Sequence, residues 1–273
     1  MATMDVNGVR IAYEDAGEGS APPLLLVHGH PFNRSMWAPQ IAHVVRRGRR
    51  VIAPDLRGYG ESAVVAGGVA HSTTLDVFAC DLVALVDALG IAGRIVPCGL
   101  SMGGQIVMEI CRLFPERLAG IGLAATFPKA ETEAGKRNRA LMAERLLSEG
   151  MGPYAEEVLG KMLAAGTIAK RPALARQVLD MMRRAPREGA AAALRGRAER
   201  PAYEEVLAGF TGPALIVVGD EDAFTTRADA LLMQRLLVGS ELLWLEGIGH
   251  MPNLESEASF NAALDRLLAK AEA

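Results

Sequence analysis

The chain has 273 residues, of which half are apolar and 22% are charged, a composition typical of folded domains that bury a large core. Its net charge of −3, without interleaved basic and aromatic residues, argues against nucleic acid or an anionic membrane as a partner. No apolar stretch approaches the ~20 residues of a membrane span, and MATMDVNGVR does not resemble a signal peptide, so we expect a cytoplasmic protein.

Short β-branched runs alternate with longer helical patterns, which predicts an α/β protein with a mainly parallel sheet. The strand-like runs are residues 8–15, 23–28, 50–54, 94–98, 119–125, 214–218 and 241–245. The first run alternates like an edge strand, whereas PLLLVH at 23–28 is continuously apolar, as a strand covered on both faces should be. Apolar residues at helical spacing predict helices at 75–89, 102–113, 228–237 and 258–268.

Residues 128–200 break this alternation, because they contain no strand-like run and read as four helical segments. This segment holds 15 Lys and Arg against 9 Asp and Glu, about +6, while the rest of the chain is about −9. We interpret 128–200 as a helical cap inserted into a core formed by 1–127 and 201–273. A run of ordinary crossover helices is the alternative.

The strongest local pattern is Gly99-Leu100-Ser101-Met102-Gly103, which follows the strand-like run 94–98 and opens a helix. A serine hydroxyl is a weak nucleophile unless it is exposed, held and deprotonated as it attacks. A sharp strand-to-helix turn exposes and holds it, and small residues on both sides prevent a backbone clash. Ser101 is therefore the candidate nucleophile, and a plain helix N-terminus is the alternative.

The base and its orienting acid are expected on loops that follow later strands. His250 lies in GIGHMP, after the strand-like run 241–245, where open α/β sheets place functional residues. Between serine and histidine, GDED follows the run 214–218 and offers Asp222, with Asp220 as a competitor. A buried carboxylate there would fix the imidazole tautomer and stabilise the imidazolium formed during attack.

An oxyanion hole requires backbone N–H groups that point to the developing negative charge. The amide of Met102, directly after the nucleophile, is one candidate. The amide of His30, in the segment HGHPF after the strand-like run 23–28, is the other. Gly29 permits close approach there, and Pro31 has no N–H to donate.

Together these motifs resemble the α/β-hydrolase superfamily, and in particular its small capped esterases, enol-lactonases and cofactor-free haloperoxidase/perhydrolase-like enzymes. The resemblance is carried by HGHPFNRSMW, DLRGYGES at 55–62, GLSMGG, GDED and GIGHMPNLE. It implies an eight-stranded, mostly parallel twisted sheet flanked by helices, and it selects Asp222 as the acid. The commonest pattern has an aromatic or apolar residue where this chain has His30.

The predicted activity is hydrolysis of a small-molecule carboxylic ester or lactone through an acyl-enzyme, with no cofactor and no metal. Hydrolases that open epoxides or displace halide need a carboxylate nucleophile, which a serine at 101 does not supply. C–C bond hydrolysis, perhydrolysis and hydroxynitrile lysis use the same serine arrangement and stay open, as does a sensor with little turnover. The expected substrate contacts are the side chains of His30, Phe32, Met142 and Met151.

Overall fold

The computed structural model describes residues 2–65 and 71–272, which are built around one eight-stranded sheet. The strands are β1 (Ala2–Val6), β2 (Val9–Ala16), β3 (Leu24–Val27), β4 (Val51–Pro54), β5 (Val96–Leu100), β6 (Ile121–Ala124), β7 (Ala214–Gly219) and β8 (Glu241–Leu245). Their spatial order is β1-β2-β4-β3-β5-β6-β7-β8. From β4 to β8 every neighbouring pair is parallel, so the prediction of a mostly parallel eight-stranded sheet is confirmed.

The N-terminal hairpin differs from the prediction for residues 8–15. β1, which the sequence patterns did not predict, pairs antiparallel with β2, and β2 pairs antiparallel with β4 on its other side. Asn7 and Gly8 join the two strands, both at positive φ (46° and 74°), as a tight two-residue hairpin requires. The run 8–15 is therefore the second strand, and its alternation reflects one exposed face.

Helices flank the sheet on both faces and are close to the predicted ranges where a prediction was made. Those of the sheet layer are α1 (Ala38–Arg46), α2 (Leu75–Ala88), α3 (Met102–Leu113), α9 (Glu204–Ala208), α10 (Arg227–Leu236), α11 (Pro252–Glu255) and α12 (Glu257–Glu272). Short 3₁₀ turns span Arg34–Trp37 and Pro115–Arg117. Helix α1 was not predicted, although its first turn carries a proline and its apolar face is buried.

Between β6 and α9 lie five helices rather than the four that the sequence predicted. They are α4 (Glu133–Glu149), α5 (Met151–Met162), α6 (Ala165–Lys170), α7 (Pro172–Arg183) and α8 (Arg187–Ala198). Glycines allow this segment to lie close to two loops at the carboxyl end of the sheet. A Cβ on Gly189 would lie 1.9 Å from the Gly58 carbonyl oxygen, and a Cβ on Gly249 would lie 2.5 Å from the Ala164 nitrogen. The Glu255 carboxylate also accepts a hydrogen bond from the Ala164 amide at 2.9 Å.

The described residues contain neither a membrane-spanning helix nor a cluster of metal-ligating side chains. No helix within 2–65 and 71–272 is both long and apolar enough to cross a bilayer. In the same ranges, no three His, Cys, Asp or Glu side chains are grouped as a metal site would require.

Candidate active site

Ser101 lies at the turn between β5 and α3, in a backbone conformation that non-glycine residues rarely adopt. Its φ is 57° and its ψ is −114°, so the neighbouring structure must hold it there. The flanking glycines explain how the turn fits. A Cβ on Gly99 would lie 2.2 Å from the carbonyl carbon and oxygen of Gly103, and one on Gly103 would lie 2.2 Å from the Val27 oxygen. The motif therefore packs as tightly as a nucleophile elbow requires.

His250 lies on the loop after β8, and its ring is oriented by a carboxylate from the loop after β7. Its Nδ1 lies 2.9 and 3.0 Å from the two carboxylate oxygens of Asp222, and both side chains are almost fully buried. Asp220 is exposed and makes other contacts: its Oδ1 accepts hydrogen bonds from the backbone amides of Gly247 and Ile248. Of the two candidate acids, Asp222 is the one in contact with the histidine.

The Asp222 carboxylate is stabilised in its charged form. Burial raises its pKa, but the interaction with His250 and the amides of Phe224 and Thr225 outweigh burial, so the net shift is downward. Oδ1 accepts from these amides at 2.8 and 3.2 Å. Asp222 is thus ionised at neutral pH and can accept a hydrogen bond from the Nδ1–H of His250, which leaves Nε2 as the ring nitrogen that is not in contact with the carboxylate.

Two backbone amides flank the nucleophile where an oxyanion hole was predicted. A Cβ on Gly29 would lie 3.3 Å from Ser101 Cβ and 2.8 Å from the Leu100 oxygen, so the segment after β3 passes directly beside the serine. Neither the His30 amide nor the Met102 amide donates to another described residue. Both donors are therefore free for an oxygen that develops negative charge near Ser101.

The ring of His30 is held by the hydroxyl of Tyr59. Its Nδ1 lies 2.8 Å from the Tyr59 hydroxyl, and the side chain is buried. Burial lowers the pKa of His30 well below its usual value, and the charges of Arg197 and Arg139 lower it further. His30 is consequently neutral. Its Nε2 has no partner among the described residues, although the ring lines the cavity described next.

Ser101 and His250 line a common cavity of about 330 Å³ at the carboxyl end of the sheet. No hydrogen bond joins their side chains among the described residues, a contact that often forms only when substrate binds. The apolar wall of the cavity includes Phe127, Met162, Leu194 and Phe224. The polar wall includes Gln105, Thr126, Arg139, Tyr154 and Arg197. Helices α4, α5 and α8 therefore contribute to the same cavity as the serine.

Three of the four predicted substrate contacts are not among the described residues that line this cavity. Phe32 is packed in the core at 1% exposure, Met151 is buried among the helices of 128–200, and Met142 packs against the same core. Only His30 lies in the wall. The sequence shows several methionines in residues 128–200 but not which face of each helix they occupy. Among the described lining residues, the methionine is Met162.

Gln105 and Arg197 line the cavity but were not predicted. Gln105 is four residues after Ser101 and therefore lies on the same face of α3, a spacing that the sequence does contain. Arg197 was counted in the positive charge of 128–200, but nothing in the sequence separates it from the exposed arginines around it. Its place in the wall follows only from the packing of α8.

Comparisons with known proteins identify the family of the chain. The sequence model described as Alpha/beta hydrolase family matches residues 24–263. A curated relative, 3-oxoadipate enol-lactonase 2 of Acinetobacter baylyi, is 28% identical over 97% of this chain and 96% of its own length.

Two solved structures are similar over nearly the whole chain. A thermophilic esterase from Thermogutta terrifontis, solved with malate bound, is 36% identical with a TM-score of 0.92, covering 99% of this chain and 97% of its own. An enol-lactonase from Burkholderia xenovorans is 27% identical with a TM-score of 0.88, covering 98% of this chain and all of its own. These relatives are enzymes named for action on esters and lactones.

Proposed function

We propose that this chain, which belongs to the alpha/beta hydrolase family, hydrolyses carboxylic esters or lactones through an acyl-enzyme on Ser101. The proposal rests on how three side chains are arranged. Ser101, at positive φ, and His250 line the same cavity, and Nδ1 of His250 is within hydrogen-bond distance of the buried carboxylate of Asp222. A nucleophile, a base and an orienting acid are the minimum that acyl transfer requires.

In the proposed mechanism, Ser101 Oγ attacks the substrate carbonyl carbon while His250 Nε2 takes the hydroxyl proton. The carbonyl oxygen becomes an oxyanion and accepts hydrogen bonds from the amides of His30 and Met102. As the tetrahedral intermediate collapses, the C–O bond breaks and His250 gives its proton to the leaving oxygen. Water then attacks the acyl-enzyme with His250 again as base, which releases the acid and restores the serine.

In this proposal residues 128–200 act as a cap over a catalytic core of 1–127 and 201–273. All members of the proposed triad and oxyanion hole lie in the core, and the cap supplies Tyr154, Met162 and Leu194 to the cavity wall. The His250 amide donates to the Met162 carbonyl at 3.1 Å, which ties the end of α5 to the histidine loop. The cap should therefore control which acyl groups enter and how well water is excluded.

The test is turnover of an activated ester by wild type and by Ser101→Ala. We expect wild type to release chromophore with a burst and to be labelled covalently by an organophosphonate, and the alanine variant to do neither. Ser148→Ala removes an exposed hydroxyl from α4 and is the matched control. Labelling that persists in Ser101→Ala, or is lost in Ser148→Ala, would contradict the proposal.

A further inference from the structure

The cavity wall contains a buried arginine that has no carboxylate partner in the described part of the chain. Arg197 is 8% exposed, and its Nε donates to Gln105 Oε1 at 3.1 Å. Its two Nη groups donate to no described residue, and no Asp or Glu within 2–65 and 71–272 forms an ion pair with it. A buried guanidinium without a counter-ion is costly, because desolvation is not offset by attraction.

The neighbouring charges increase this cost. Arg139 and Arg200 both pair with the carboxylate of Glu131, so two arginines share one carboxylate and Arg197 is left without one. Burial raises the pKa of the Glu131 carboxyl, but the two arginines outweigh burial and bring it down to about 2. The cluster of Arg139, Arg197, Arg200 and Glu131 therefore carries a net charge of about +2, and Arg197 is the member whose charge is unmatched.

Nothing else in the wall supplies the missing negative charge. The described lining residues include no Asp or Glu, and His30, which also lines the cavity, is neutral. Burial, together with the like charges of Arg139 and Arg200, lowers the pKa of Arg197 from its usual value. An anion at the Nη groups would favour the charged guanidinium and so raise the pKa of Arg197 again. It would also accept two charge-assisted hydrogen bonds in the fork geometry that a guanidinium offers to a carboxylate.

We propose that Arg197 binds a carboxylate of the substrate, so that the preferred ester or lactone is an anion carrying a second, uncleaved carboxylate. This inference rests on the proposed hydrolase function and adds the substrate class. Arg197 acts here as a binding residue that fixes one end of the substrate, while Ser101 attacks the other end.

The structure also places both proposed contacts of the substrate in the wall of one cavity. Gln105, which holds Arg197, lies one turn of α3 after Ser101, and its amide donates to the Ser101 carbonyl at 3.1 Å. Arg197, held by Gln105, therefore reaches the cavity that Ser101 lines, and short dicarboxylic monoesters are the substrates to test first.

The kinetic test compares p-nitrophenyl monoesters of short straight-chain dicarboxylic acids with their methyl-capped, uncharged counterparts. We expect wild type to prefer the anionic ester in kcat/KM, and Arg197→Gln to lower that preference at least about tenfold, mainly through KM. Arg197→Lys keeps the charge without the fork and should fall between the two. Arg187→Gln removes an exposed arginine from the same helix and should keep the wild-type preference.

A binding test uses the Ser101→Ala variant, in which ligand binding can be measured without turnover. Titration calorimetry should detect glutarate but not glutaramide, which has the same chain without the charges. The double variant Ser101→Ala/Arg197→Gln should lose glutarate binding.

Equal turnover of both ester types by wild type, or glutaramide binding as tightly as glutarate, would overturn the inference while leaving hydrolysis at Ser101 intact. Failure to hydrolyse any ester, combined with glutarate binding that depends on Arg197, would instead overturn the proposed function alone. Thermal unfolding of each variant shows whether a loss reflects the site or the fold.

Discussion

Replacing Asp222 by asparagine perturbs the proposed triad with little change in shape. The Asp222 Oδ1 accepts from the Phe224 and Thr225 amides, and the asparagine carbonyl oxygen can keep these two hydrogen bonds. The asparagine NH₂ then takes the place of Oδ2, which lies 3.0 Å from His250 Nδ1. Because NH₂ can only donate, it can bond to Nδ1 only where Nδ1 accepts, and this favours the tautomer with the imidazole proton on Nε2. The nitrogen that should take the Ser101 proton is then already protonated.

The same substitution removes the charge that stabilises the imidazolium during attack. The Asp222 side chain has no exposed surface and that of His250 has 2%, so water cannot replace this interaction. The loss of correct tautomer and of charge together should lower kcat by about 10⁴-fold, or about 5.5 kcal/mol of barrier. The measurement is steady-state hydrolysis of p-nitrophenyl acetate, with circular dichroism to verify the fold.

Asp220→Asn is the matched control from the same loop. Asp220 is exposed, and its Oδ1 accepts from the Gly247 and Ile248 amides, which an asparagine oxygen can also do. The kcat of the Asp220→Asn variant should stay within about tenfold of the wild-type value. A larger loss for Asp220→Asn than for Asp222→Asn, or less than about tenfold loss for Asp222→Asn, would refute the reasoning and reassign the acid.

Three further predictions concern the elbow, the arginine cluster and the cavity wall. Gly99→Ala should destabilise the protein by about 3 kcal/mol in chemical denaturation, because its Cβ would lie 2.2 Å from backbone atoms. Gly152→Ala, with no atom within 4 Å in α5, should be neutral or stabilising, and equal effects would count against the packing argument. The pKa of the Glu131 carboxyl is about 2 in the folded protein, against its ordinary value of 4.5. The ionised carboxylate therefore stabilises the folded state fully above pH 4.5, and this stabilisation is lost as the pH falls toward 2. Glu131→Gln should therefore lower Tm at neutral pH, with the difference from wild type shrinking below pH 4.5, and a pH-independent difference would contradict this. Met162→Ala should shift ester preference toward longer acyl chains by enlarging the cavity, whereas Met142→Ala, outside the wall, should leave the kcat/KM series unchanged.

The sequence by itself was informative wherever function depends on local chain geometry. A glycine on either side of Ser101, with a strand before and a helix after, is a local requirement of a sharp turn, and the observed turn matches it. Parallel strands bring their carboxyl ends to one edge, so the loops holding Asp222 and His250 could be expected to converge from strand order alone. The choice between Asp220 and Asp222 needed either a family resemblance or the structure, because two aspartates two residues apart are equivalent as a pattern.

The tertiary structure decided the features that depend on how separate elements pack. Helical spacing shows that an element is amphipathic but not which neighbour its faces meet, and so it could not distinguish Met162 in the cavity wall from Met142 and Met151 outside it. The same holds for charge. Counting residues gave the segment 128–200 an excess of about +6, which exposed side chains explain equally well. Only the packing of α8 against the core showed that Arg197 is buried in the wall of the cavity that Ser101 also lines, without a carboxylate partner among the described residues. Burial and pairing are properties of the folded neighbourhood and cannot be read from a residue count.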